Sequence, residues 1–177
     1  MNKSYRIDPN FTHTIPPGDN LERSVCTECG FIDYNNPKIV VGAVALWDQK
    51  ILLCSRSIDP RRGFWTLPAG YLENGESAED GARREAREEA CAEIEIDRLL
   101  AVYSIPRISQ IQLMYRARLT SPGVMAGEES LEVGLFEWAD IPWADLAFLS
   151  VGWALRQYHE TARLSDFPPF TNPADGL

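Results

Sequence analysis

The feature that most restricts how this chain can fold is the segment at residues 70–92, whose small and acidic side chains recur at helical spacing. Ser77-Ala78-Glu79-Asp80 has the shape of a capping box and predicts a helix start there. Within that helix Ala82, Ala86 and Ala90 recur every fourth residue, a stripe small enough to let the helix lie close to a sheet. Glu85, Glu88 and Glu89 stand at i, i+3 and i+4, so at about 100° per residue the three carboxylates leave one side of the helix beside the stripe. The acidic edge therefore falls where core meets solvent. Carboxylates crowded in this way repel one another unless a cation offsets them, and oxygen-only donors at this spacing suit a hard divalent ion such as Mg²⁺. As a charge pattern alone, with Arg83, Arg84 and Arg87 interspersed, the same segment describes a solvated face laced with ion pairs.

The flanking sequence reads mainly as strands. Residues 39–47 and 50–55 are β-prone runs separated by Asp48-Gln49, which predicts a hairpin. Residues 94–105 and 110–119 also read as strands. In the second, Ile111, Leu113, Tyr115, Ala117 and Leu119 alternate with Gln112, Met114, Arg116 and Arg118, the pattern of a half-buried strand. Residues 133–138 form another. After Pro142 the pattern turns helical, with Leu146, Leu149, Trp153 and Leu155 among its apolar positions, and the proline-bearing tail from Phe167 is predicted irregular. Residues 1–37 carry Pro, Asn, Asp and Thr with little periodicity and end in Tyr34-Asn35-Asn36-Pro37. They are predicted to be an irregular arm, ahead of an α/β domain at 38–177.

The chain's 177 residues suffice for one sizeable core. Its 26 acids against 17 bases give a net charge of −9, which disfavours extensive contact with nucleic acid. No apolar run approaches the roughly 18 residues of a membrane span, and no signal-peptide core is evident near the start. The expectation is a soluble, cytoplasmic protein with no membrane partner. Cys54 and Cys91 lie within apparent secondary structure and are predicted to be small core residues. Cys26-Thr27-Glu28-Cys29 has the spacing of half a zinc site.

Gly70, Glu76, Arg84, Glu85, Glu88 and Glu89 stand in one register that resembles the Nudix box, G-x5-E-x7-R-E-U-x-E-E-x-G-U with U aliphatic. Cys91 occupies the position of the box's second glycine, and Ala86 and Ala92 are small for the aliphatic positions; none of these departures removes a ligand. The resemblance spans roughly residues 38–163 and implies an α/β/α sandwich with a mixed sheet. It implies that Glu85, Glu88 and Glu89, with Gly70 beside them, form a site for Mg²⁺ or Mn²⁺. Arg84 would orient a glutamate and Glu76 would support the loop. The implied reaction is hydrolysis of a nucleoside diphosphate linked to another moiety, with the catalytic set Glu88, Glu85 and Arg84. A general base or further ligand is expected from a later loop that holds Glu128, Glu129 and Glu132, with Glu132 the first choice and Glu129 also in the set.

Cys26, Cys29, Gly30 and Tyr34-x-Asn36-Pro37 resemble the second knuckle of the zinc ribbon that precedes some Nudix domains. No first Cys-x-x-Cys is present. The alternatives are a structural Zn²⁺ completed by His13, an acid or another subunit, and a degenerate ribbon persisting as an arm. Ser109-Gln110-Ile111-Gln112 lacks the Pro-Trp that marks NADH pyrophosphatases. Pro106 stands about where ADP-ribose pyrophosphatases carry a proline. Gly63-Phe64-Trp65-Thr66-Leu67-Pro68-Ala69-Gly70, Ile141-Pro142-Trp143 and Ala147-Phe148 resemble the zinc-ribbon ADP-ribose/FAD group. Substrate contacts are expected from Arg56, Arg62, Trp65, Tyr103 and Arg107. The favoured substrates are ADP-ribose or FAD, releasing AMP, ahead of NADH or an NAD cap; a non-catalytic nucleotide sensor is the alternative of another class. The resemblance also makes a homodimer plausible.

Overall fold

The computed structural model describes residues 10–174, which fall into two compact units divided between Asn36 and Pro37. The first unit is not irregular, as its sequence suggests. Strands β1 (Phe11–Thr14), β2 (Arg23–Cys26) and β3 (Ile32–Asp33) form an antiparallel sheet in the order β1-β2-β3. These strands are too short and too exposed for apolar alternation to reveal them. Their pairing is closed by backbone bonds from Cys26 N to Phe31 O and from Gly30 N to Cys26 O, with Gly30 at φ +74° in the turn.

The second unit holds a mixed seven-stranded sheet between two helices. Its strands are β4 (Lys38–Trp47), β5 (Lys50–Arg56), β6 (Trp65–Thr66), β7 (Ala69–Tyr71), β8 (Ile94–Ile105), β9 (Gln110–Leu119) and β10 (Ser130–Phe136). The central order is β10-β5-β4-β9-β8, with β6 on β5 and β7 on β4. Only the β4–β9 pair is parallel. The β4–β5 hairpin turns at Asp48 and Gln49, both at positive φ (46° and 69°), the geometry that matches the twist of two strands joined by a two-residue loop.

Helix α1 (Ala78–Ala90) lies on one face of this sheet. Its fully buried Ala82, Ala86 and Ala90 meet Val41, Ala43, Ala45, Leu52, Tyr115 and Ala117, and the absence of bulk on the stripe permits the close approach. Helix α2 (Leu149–Thr161) covers the other face, where Val151, Ala154 and Leu155 pack with Val44, Ile51, Leu53 and Leu100. Adjacent residues of β5 alternate strictly between the two cores, Ile51 and Leu53 to one and Leu52 and Cys54 to the other. Strand β9 is buried on both faces over part of its length, because Met114 joins the α2 core opposite Tyr115.

Three expectations change here. Leu146 precedes the helix and bridges Trp65 in parallel, so α2 begins at Leu149. The tail is partly ordered against β8: Phe170 bridges Ala101, and Asn172 exchanges hydrogen bonds with the backbone of Ser104. Cys91 is exposed and not a core residue; it ends α1 in the left-handed conformation, φ 49°, ψ 31°.

Candidate active site

Helix α1 starts where the sequence predicts, with Ser77 Oγ accepting from the Asp80 backbone N–H at 3.1 Å. The same hydroxyl donates to the Asp80 carboxylate, so the acid holds the cap instead of reaching back to the backbone of Ser77. One turn later the acidic edge emerges. Glu85 and Glu89 adjoin the alanine stripe and are buried, whereas Glu88 on the rim is exposed.

The backbone of β7 presses onto the two buried carboxylates. Ala69 N donates to Glu89 Oε2 at 2.9 Å. A Cβ placed on Gly70 would stand 2.5 Å from Glu85 Cδ, so any other residue there would push that carboxylate aside. Burial pushes the Glu89 carboxyl up to about 8, reinforced by Glu85 and Glu129 and opposed by the Ala69 N–H and Arg56. Glu85 is also raised by burial, with Arg84 opposing and Glu88 and Glu129 adding to the rise.

Arg84 is the cation inside the cluster. Its five N–H donors all find acceptors: Glu76 Oε2 at 3.1 Å and Oε1 at 2.8 Å, the Tyr71 carbonyl at 2.9 Å, Glu85 Oε1 at 2.7 Å and Glu88 Oε2 at 2.8 Å. Glu76 is held below the usual carboxylate range by Arg84 and the Glu73 N–H, and Arg84 is raised in turn. The guanidinium thus ties the loop after β7 to the helix and takes up one oxygen each of Glu85 and Glu88.

A second cation comes from β5. Arg56 Nε donates to the Pro60 carbonyl at 2.9 Å, and its guanidinium lies 5.2 Å from the Phe148 ring centre. Beside it, Ser57 N and Oγ bind the carbonyls of Glu129 and Glu128 at 2.9 and 3.0 Å. The loop bearing those glutamates also caps α1, with Met125 N on Ala90 O at 2.9 Å and Gly127 N on Glu89 O at 3.0 Å. That crossing requires glycine at 127, where a Cβ would stand 2.8 Å from the Glu88 carbonyl carbon.

Of the two loop acids favoured by sequence, the structure brings Glu129 to the cluster, where its charge raises both Glu85 and Glu89. Glu132 does not join them. It pairs with Ser55, and because Val133 and Leu135 face the α1 core, Glu132 lies on the opposite face of β10. Among the expected substrate contacts, Tyr103 is a correction: it is fully buried, and its hydroxyl donates to Gln157 at 2.5 Å, leaving no surface for a ligand. Trp65 packs edge-on to Phe136 at 4.8 Å on the α2 side. Arg62 is exposed in the loop after β5, and Arg107 is exposed in the short turn Pro106–Ile108 between β8 and β9. The Ala69 N–H and Gly127 were invisible to sequence reasoning, since a backbone donor and a close approach leave no side-chain signal.

Among the described residues, no three His, Cys, Asp or Glu side chains converge closely enough to hold one metal ion as they stand. In the acidic cluster the reason is visible: Glu85 and Glu88 are both turned onto Arg84 Nη1. The donor set nevertheless suits a hard divalent cation, being made of carboxylate oxygens, two of them buried against the β7 backbone. Cys26 and Cys29 flank the β2–β3 turn, with Cys29 exposed.

This sandwich, with its carboxylates pinned beneath a glycine strand, is a Nudix hydrolase arrangement: residues 36–156 match the NUDIX domain family model, and the chain belongs to that family. Residues 9–35 match the model described as Nudix N-terminal, a zinc-ribbon family. The protein is accordingly a pyrophosphohydrolase. It is similar to an ADP-ribose pyrophosphatase of Methanocaldococcus jannaschii, 31% identical over 62% of this chain and 67% of that one. A crystal structure of a NUDIX hydrolase from Nitrosomonas europaea superposes with a TM-score of 0.84 at 46% identity, covering 91% of this chain and 92% of that one. The NUDIX domain of Shewanella oneidensis NrtR complexed with ADP ribose gives 0.61 at 25% identity, over 73% and 90% of the two chains.

Proposed function

We propose that the protein hydrolyses the diphosphate of ADP-ribose or FAD with Mg²⁺ or Mn²⁺, releasing AMP. The observation that carries this reading is the set of buried Glu85 and Glu89, with Glu88 and Glu129 beside them, under the backbone of Ala69 and Gly70. Similarity to the M. jannaschii ADP-ribose pyrophosphatase and to the ADP-ribose-bound NrtR domain supports the substrate class. Glu85, Glu88 and Glu89, with the backbone at Gly70, would hold the cation once Glu85 and Glu88 turn away from Arg84. Such a cation, when bound, neutralises phosphate charge and lowers the pKa of an attacking water. Glu129 takes a proton from the attacking water, and the water oxygen forms a bond to one phosphorus as the bridging P–O bond to that phosphorus breaks, leaving AMP with ribose 5-phosphate or FMN. Arg56 balances charge on the diphosphate, and Arg84 keeps the carboxylates in place.

Chromatography with mass detection after incubation with Mg²⁺ and equal ADP-ribose, FAD and NADH tests the proposal. AMP should form from ADP-ribose or FAD faster than from NADH, and Glu88→Gln should lower turnover by about a hundredfold or more. Wild-type turnover in Glu88→Gln would rule out the proposed metal site. Nucleotide binding without any AMP would favour a sensor.

A further inference from the structure

Phe148 is an aromatic residue beside Arg56 that joins neither of the two cores. Its neighbours are anchored: Ala147 is buried and donates its N–H to the Trp65 carbonyl at 2.8 Å, Leu146 bridges Trp65, and Val151 enters the α2 core. The backbone is therefore held while the Phe148 ring stays 37% exposed, followed by Leu149 at 74%. Among the described residues, the cation over the ring is the Arg56 guanidinium.

Arg56 is itself preorganised. Its backbone N–H meets the Phe64 carbonyl at 3.0 Å, its carbonyl accepts from Gly63 at 2.8 Å, and Nε is fixed on Pro60. Among the described residues, its Nη groups make no hydrogen bond and it has no ion-pair partner. It stands opposite Ser130 at the end of β5, next to the loop that carries Glu129. A guanidinium with idle Nη donors, stacked on an exposed ring and bordering the acidic cluster, offers two kinds of recognition side by side. One is charge-assisted hydrogen bonding to a phosphate, the other a flat apolar surface for a base.

Resting on the diphosphatase reading above, we infer that Arg56 and Phe148 form one composite subsite. The Arg56 Nη groups take a phosphate of the nucleoside diphosphate, and the open side of the Phe148 ring stacks on its purine. Phe148 is thereby a specificity residue for the nucleoside half of the substrate, and Arg56 serves any diphosphate.

Steady-state kinetics on ADP-ribose and on diribosyl diphosphate, which lacks the base, separate the two contributions. Phe148→Ala should raise the KM for ADP-ribose by about tenfold to a hundredfold, with kcat little changed, and leave the base-free substrate unaffected. Phe148→Trp should restore the ADP-ribose KM. Arg56→Gln should raise KM for both substrates. Equal KM for ADP-ribose in wild type and Phe148→Ala, or an equal loss on both substrates, overturns the stacking role. Should the wild type cleave neither compound, the ADP-ribose reading fails, and calorimetric titration with AMP tests the subsite by itself. Equal AMP affinity in wild type and Phe148→Ala then overturns it.

Discussion

Gly127→Ala tests the contact by which a loop is laid across the end of α1. The added Cβ would overlap the Glu88 carbonyl oxygen and fall 2.8 Å from the carbonyl carbon of Glu88 and 3.3 Å from that of Glu89. Carbon atoms settle at about 3.5–4.0 Å, and the overlapped oxygen demands more, so the loop must retreat by over about 1 Å. The bonds from Met125 N to Ala90 O, at 2.9 Å, and from Gly127 N to Glu89 O, at 3.0 Å, would then stretch beyond useful length. Each contributes about 1 kcal/mol net, and unpaired carbonyls add to the loss, giving a destabilisation of about 2–3 kcal/mol. For a chain of this size that lowers Tm by roughly 4–12 °C. Turnover should fall as well, because Glu129 lies two residues beyond the displaced point. Gly123→Ala is the matched control: it lies in the same loop, and its nearest contact would be Ser121 Oγ at 3.9 Å. Thermal melts and urea titrations of the three proteins decide the matter. A Gly127→Ala protein that melts with wild type, or a Gly123→Ala protein that loses as much, refutes the close-approach reasoning.

The Glu89 carboxyl should make the metal-free protein less stable as pH rises. Its folded value of about 8 exceeds the ordinary 4.5, so between the two the unfolded chain releases a proton that the fold retains. The stabilisation is complete below 4.5 and lost through about 8, with a slope approaching 1.4 kcal/mol per pH unit; Glu89→Gln should flatten urea midpoints across that window. Glu85 acts with the same sign, whereas Glu76, lowered by Arg84, acts in the opposite direction below the ordinary carboxylate value. Cys91→Gly should stabilise the protein by about 0.5–1 kcal/mol in urea titrations, because Cys91 holds a left-handed φ of 49° that glycine adopts without strain. An unchanged midpoint would mean that the strain is absent. Cys26→Ala with Cys29→Ala should shift Tm by less than about 2 °C. Elemental analysis should find no stoichiometric zinc in the parent, and zinc at one per chain would restore the metal-bound ribbon.

What the sequence alone determined is local. The Ser77 cap, the alanine stripe and the spacing of Glu85, Glu88 and Glu89 all belong to one helix, where residue number converts directly into direction. The β4–β5 hairpin and the strands β8 and β9, though not their pairing, were equally legible, since two-residue turns and β-prone runs are short-range signals. The tertiary structure decided the rest. Ser130 and Glu132 pair with consecutive residues of β5, so Leu131 is an extra residue in the ladder. From that irregularity onward the side chains alternate in the register that puts Glu132 away from the cluster, while Glu129, just before it, stays beside Glu85 and Glu89. Tyr103 looked like a ring available to a ligand, yet the packing of α2 buries it against Trp153 and Gln157. Arg84 could be placed near glutamates by spacing, but its saturation by the Tyr71 carbonyl and Glu76 depends on how the β7 loop returns over the helix. Helical spacing fixes which groups share a face; contacts between segments distant in the chain depend on strand register and loop path, which only the folded chain settles.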